Sequence, residues 1–136
     1  MDLVKSMMIA ASGMRAQSGR MRVLAENIAN SQSAATTPGA DPYRRQIVTF
    51  ESELDRELNA RVVKVGKPVA DKSDFELKYM PGHPGADENG YVQMPNVNGL
   101  VESMDMKEAQ RSYEANLNMI QASRRMMSQT LELLRR

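Results

Sequence analysis

The sequence contains no cysteine. Disulfides, zinc–thiolate sites and thiol nucleophiles are excluded together, and the chain suits a reducing or an oxidising compartment equally. Tryptophan is also absent, and aromatic residues make up only 4% of the chain. With a net charge of +1, this leaves little electrostatic or stacking basis for binding nucleic acid, and the Arg44-Arg45 and Arg124-Arg125 pairs do not supply one. The single histidine, His83, lies in the Pro/Gly-rich stretch Met80–Gly85, where a transition metal would lack partner ligands. No run approaches the roughly 20 apolar residues that a membrane span needs. Ser6–Met14 is uncharged and has the look of a short signal-peptide core, but Asp2 spoils a basic start and the helical pattern continues past Arg15. It is expected to be retained as helix. Proline is missing from both ends, since all six prolines fall between Pro38 and Pro95. That distribution divides the chain into helix, non-helical insert and helix.

The two ends carry apolar stripes at alternating three- and four-residue spacing. The first runs through Val4, Met7, Ala11, Met14, Ser18, Met21, Ala25 and Ile28 on a helix expected over Asp2–Asn30. The second runs through Met106, Gln110, Tyr113, Leu117, Ile120, Arg124, Met127, Leu131 and Leu134 on a helix starting near Gly99–Ser103. Such spacing places one seam on each helix, as in a coiled coil. Ten of the 12 methionines sit in these terminal segments, and Met can pack against several different neighbours. Gly13 and Gly19, with Ala10, Ala11, Ser12, Ala16 and Ser18, make part of the first helix thin enough for a second helix to approach closely. Acidic residues in the first half of the second helix (Glu102, Asp105, Glu108, Glu114) and Arg135 and Arg136 at its end, after Arg124 and Arg125, suit the helix dipole.

The insert reads as β-rich. Ser31–Pro42 has no large apolar residue and is expected to be an exposed loop. Tyr43–Phe50, Arg61–Val65 and Phe75–Tyr79 read as strands, and Asn89-Gly90 before Tyr91-Val92 reads as a hairpin turn. The expected fold class is therefore α+β: long N- and C-terminal helices paired as an antiparallel coiled coil, with a small β-rich insert. Residues 1–30 and 100–136 would form a discontinuous helical domain, and residues 31–99 the loop and insert.

Catalytic patterns are weak. Asp87-Glu88-Asn89-Gly90 lacks the further ligands of a calcium loop and reads as a turn. Glu51 and Glu53 share a strand face, with nothing to mark a cleft. No catalytic, metal or cofactor residue is nominated. Ordering a helical residue opposes folding by roughly 1–2 kcal/mol, and seams rich in Ala, Ser and Met bury little apolar area in return. The helix pair is expected to be marginal alone and to order among neighbours.

Three stretches resemble bacterial flagellar rod and hook proteins. Ala11-Ser12-Gly13-Met14-Arg15-Ala16-Gln17, continuing to Leu24-Ala25-Glu26-Asn27-Ile28-Ala29-Asn30, resembles their N-terminal signature. Pro95-Asn96-Val97-Asn98 followed by Arg111-Ser112-Tyr113-Glu114-Ala115-Asn116 resembles their C-terminal signature. Pro42-Tyr43-Arg44-Arg45-Gln46, Tyr79-Met80-Pro81-Gly82-His83-Pro84 and the stretch 86–97 resemble the short proximal-rod members. The loop 31–42 is longer than in the wider family, and Pro42 stands before Tyr43 where glycine is usual.

The resemblance implies a structural subunit of the basal-body proximal rod, not an enzyme and without a cofactor. It implies assembly through the terminal helices, transmission of torque and a lining for the export channel. The implied partners are other copies of the chain, other rod proteins, the inner-membrane ring and export-gate adaptors, and the flagellar type III export apparatus. The implied place is the periplasm, reached without a cleaved signal, with no nucleic acid and no direct membrane span. A soluble helical-hairpin adaptor or chaperone-like protein would share the seams but should form a stable small oligomer.

Overall fold

The computed structural model describes residues 2–135, so Arg136 lies outside the described residues. Helix α1 spans Leu3–Ala29. Asp2 starts it: its Oδ1 accepts from the backbone N–H of Val4 (3.1 Å) and Lys5 (3.2 Å), satisfying donors that a helix start leaves bare. At the other end, Asn30 Nδ2 donates to the Glu26 carbonyl and Ser31 Oγ to the Ile28 carbonyl. Helix α2 spans Gly99–Leu134. Asn98 caps it, its Oδ1 accepting from the N–H groups of Leu100 and Val101. Between the helices lie β1 (Gln46–Ile47), β2 (Phe50–Asp55), β3 (Ala60–Val65), β4 (Val69–Ala70), β5 (Glu76–Tyr79) and β6 (Tyr91–Met94). The fold is α+β, with the two long helices packed together and a small strand-containing insert between them.

The insert forms three separate two-stranded ribbons, pairing β1 with β4, β2 with β3 and β5 with β6, all antiparallel. The expected strand over Tyr43–Phe50 is broken. The backbone N–H groups of Arg45 and Gln46 donate to the side-chain oxygens of Asn96 and Asn27, 2.8 and 2.9 Å away. These donors are captured by side chains, and only Gln46–Ile47 pairs as strand before β2 begins at Phe50.

The described residues divide into two compact units. The first takes residues 2–21, 49–66 and 107–135; the second takes 22–48 and 67–106. In the first unit, β2 and β3 form a hairpin in register from Phe50↔Val65 to Asp55↔Ala60. Asp55 Oδ1 accepts from the N–H groups of Glu57 and Leu58 and closes its turn. The small face of α1 receives this hairpin. Ser12 Oγ accepts from Val63 N–H at 3.3 Å, and a Cβ placed on Gly19 would lie 3.2 Å from Val65 Cγ2. Gly19 therefore meets a strand, and Gly13 is the glycine that admits a helix. A Cβ on Gly13 would lie 2.9 Å from Asn116 Nδ2 on α2.

In the second unit, β5 and β6 pair from Glu76↔Met94 to Tyr79↔Tyr91, with the two tyrosine rings edge to face at 5.3 Å. Their connection is a folded loop. Asp87 Oδ1 accepts from Asn89 and Tyr91 N–H, and Gly90 takes φ +83°. His83 Nδ1 accepts from Gly85 N–H, so this nitrogen is the unprotonated one. The loop 31–42 departs from the expectation of full exposure. Ala35 and Pro42 are buried, and a Cβ on Gly85 would collide with the Ala35 carbonyl oxygen. The helix-dipole expectation for α2 also needs correction. No basic residue falls in its last turn, because the helix ends at Leu134 with Arg135 just beyond. The acid of its first turn, Glu102, is wholly buried and paired.

Candidate functional site

Two features stand out, one in each unit. In the first unit, α1 and α2 meet along small and polar side chains. Gly13 lies against Asn116, Gln17 Nε2 donates to Ser112 Oγ at 3.1 Å, and Arg20 faces Glu108 at 3.7 Å. Ala10, Ala16, Ala109 and Ser123 are buried. The sequence-nominated seam runs beside this contact line. Met7, Ala11, Met14, Met21 and Ile28 are half-buried, as are Met106, Tyr113, Ile120 and Met127. Val4 is exposed, and Leu117 and Leu131 are 37% and 60% exposed. Part of the seam borders an open groove of about 480 Å³, lined by Met8, Ala11, Met14, Arg15 and Ser18 of α1 and by Tyr113 and Ile120 of α2. Such a groove is mostly apolar, and its walls come from both helices.

The second unit holds a closed polar network built on Asn27, which is completely buried. Asn27 Nδ2 donates to the Gln46 carbonyl (2.8 Å) and to Glu102 Oε2 (2.9 Å). Its Oδ1 accepts from Tyr43 Oη and from Gln46 N–H, both at 2.9 Å. Glu102 is also wholly buried, and its other oxygen accepts from Arg45 Nε at 2.6 Å. Arg45 Nη1 reaches Asp71 Oδ2 at 3.5 Å. Asn96 Nδ2 donates to the carbonyls of Asp71 and Ser73 and to Ser73 Oγ. Next to it, Arg44 donates to the same two carbonyls and lays its guanidinium 4.2 Å over the Phe75 ring. One helix end, one helix start and three insert segments are thus tied by charge-assisted bonds.

The electrostatics follow the geometry. Burial pushes the Tyr43 phenol above its ordinary pKa, and the carboxylates of Glu26 and Glu102 add to the effect. Burial draws Arg45 down, but its hydrogen bond and charge pairing with Glu102 and Asp71 outweigh this and leave the guanidinium raised. The Ser73 backbone N–H, then its hydroxyl and Arg45, hold the Asp71 carboxyl below the usual range against a smaller opposing effect of burial. Asn27 and Glu102 have their side-chain polar atoms engaged inside the protein. Among the described residues no cluster of His, Cys, Asp and Glu is arranged to hold a metal, and no helix is long and apolar enough to cross a membrane.

Residues 88–133 match the model of the flagellar basal body rod FlgEFG protein C-terminal family. The flagellar basal-body rod protein FlgC of Agrobacterium fabrum is 54% identical over 93% of this chain and 91% of its own length. Those of Salmonella typhimurium and Aquifex aeolicus are 39% and 36% identical, covering 98% and 97% of both partners. The chain belongs to the FlgC family of flagellar basal-body rod proteins. This is a family of structural proteins, and membership places the chain in the flagellar basal-body rod.

The motifs that carried the resemblance now have contacts. In the N-terminal motif, Asn27 is the buried hub and Asn30 caps α1, while Ile28 is half-buried and Ala29 exposed. In the C-terminal motif, Ser112 and Asn116 face α1 and Tyr113 walls the groove, while Arg111, Glu114 and Ala115 are exposed. Sequence reasoning passed over Arg45, Asp71, Asn96 and Glu102 as a set. A usable signal existed: Glu102 sits in the first helical turn between Val101 and Ser103, close after the Asn-rich stretch 96–98.

Proposed function

We propose that this chain is a structural subunit of the proximal rod, the drive shaft of the bacterial flagellum, and that it assembles through its terminal helices. The observation that best supports this reading is the flank of seam residues that the monomer leaves half-exposed around the groove of Met14, Tyr113 and Ile120. Side chains of this kind on paired helices fit lateral packing against like helices, and methionine suits contacts with non-identical neighbours. Residues 1–30 and 100–136 act as the assembly domain in this reading, and residues 31–99 face outward. Torque then passes through many helix–helix contacts instead of one site, and the same helices line the export channel.

Copies of the chain, other rod proteins, the inner-membrane ring and export-gate adaptors are its neighbours in this account. Delivery is through the flagellar type III apparatus, without a cleaved signal, to a rod in the periplasm. A thin helix pair suits delivery in an unfolded state, because it is only modestly stable until neighbours add their contacts. Leu117→Asp tests the reading. Leu117 is 37% exposed, so the substitution leaves the monomer folded while placing a charge on the assembly flank. Cells carrying it should lose motility and rods, with the soluble chain keeping its circular dichroism. Motile cells with normal rods would remove Leu117 from the assembly surface.

A further inference from the structure

The geometry points to a second role for the Asn27–Arg45–Glu102 network: we propose that it fixes the register in which α1 and α2 pair. This goes beyond the rod reading and does not depend on it. Apolar packing alone discriminates registers poorly here. Met7, Met14 and Met21 recur every seventh residue on α1, and Met106, Tyr113, Ile120 and Met127 do so on α2. A slide by one heptad therefore returns similar side chains to similar positions. Where Gly13 and Gln17 lie against Asn116 and Ser112, the contact line between the helices offers small or flexible groups.

The network forbids a slide. Asn27 and Glu102 are both completely buried and bonded at 2.9 Å, and sliding α1 by seven residues would separate them by about 10 Å. Arg45 cannot follow α1, since its backbone N–H is held by Asn96 and its guanidinium by Asp71. A slipped register leaves Glu102 without the Asn27 amide and Asn27 without its acceptor. Buried polar groups that specify register at some expense of stability are a known device in paired helices.

The absence of cysteine allows a direct test. Gln17→Cys is combined with Ser112→Cys to report the native register, and with Met119→Cys or Asp105→Cys to report a one-heptad slide either way. Each pair is treated with a short thiol–thiol cross-linker on the full chain. With the network intact, the 17–112 product should exceed either slipped product by about tenfold or more, as coupling through buried networks allows. The apolar replacement Asn27→Leu/Arg45→Met/Glu102→Leu should retain helical circular dichroism yet lose that preference, giving slipped products in comparable yield. A folded triple variant that still yields only the 17–112 product would overturn the proposal. If the triple variant does not fold, Glu102→Gln is put through the same cross-linking and judged by the same two outcomes.

Discussion

Removing Arg45 while leaving Glu102 in place isolates the strongest contact of the network. In Arg45→Met, the methionine keeps much of the aliphatic stem and deletes the 2.6 Å bond to Glu102 and the 3.5 Å contact to Asp71. Glu102 is left wholly buried, with only the Asn27 amide on its carboxylate. Breaking a buried pair in this way destabilises by about 3–5 kcal/mol. Urea denaturation followed by circular dichroism near pH 7 measures the loss. Arg45→Met/Glu102→Leu should recover most of the loss, because replacing both partners removes the stranded charge. A loss below about 1 kcal/mol near pH 7 would refute the reasoning.

Four further predictions follow from single contacts. Gly85→Ala should destabilise by about 1–3 kcal/mol in the same denaturation assay, because the new methyl meets the rigid Ala35 backbone carbonyl. Gly13→Ala should stabilise an Asn116→Ala background by about 1 kcal/mol, the usual helical gain, and should stabilise the native background less, because the Asn116 amide must move aside. Burial raises the pKa of the Tyr43 phenol, so Tyr43→Phe should delete a late step from an alkaline absorbance titration. Its raised pKa means that its contribution to stability is present below the ordinary tyrosine value and lost as pH rises through the raised one. Asp71 acts in the opposite sense: its lowered pKa contributes stability above the ordinary aspartate value, lost as pH falls through the lowered one, and Asp71→Asn should flatten that acid limb.

Periodicity and punctuation made the helices legible. The absence of proline outside 38–95 and the alternating apolar stripes placed both ends of the insert to within a few residues. The runs at Arg61–Val65 and Phe75–Tyr79 carried enough β-branched or alternating character to become β3 and β5. Tyr43–Phe50 had similar composition but only two residues of strand before β2, and the Gln46 and Arg45 N–H groups are claimed by Asn27 and Asn96 from distant parts of the chain. No local pattern reports such a long-range capture. The contact line between the helices was hidden for a related reason. A search for large apolar residues finds Met7, Met14 and Met21, whereas the closest approach uses Gly13, Gln17, Ser112 and Asn116, whose value lies in being small or polar. Glu102 looked like an ordinary acid at a helix start because its burial depends on Arg45, far away in sequence.

The most direct test of the central claim is to locate the chain in the organelle. Flagellar basal bodies isolated from cells that make an affinity-labelled copy can be imaged by electron cryomicroscopy, beside those from cells lacking the chain. The account predicts label on the proximal rod and no rod beyond the inner-membrane ring when the chain is missing. Complete, unlabelled rods in both preparations would contradict it.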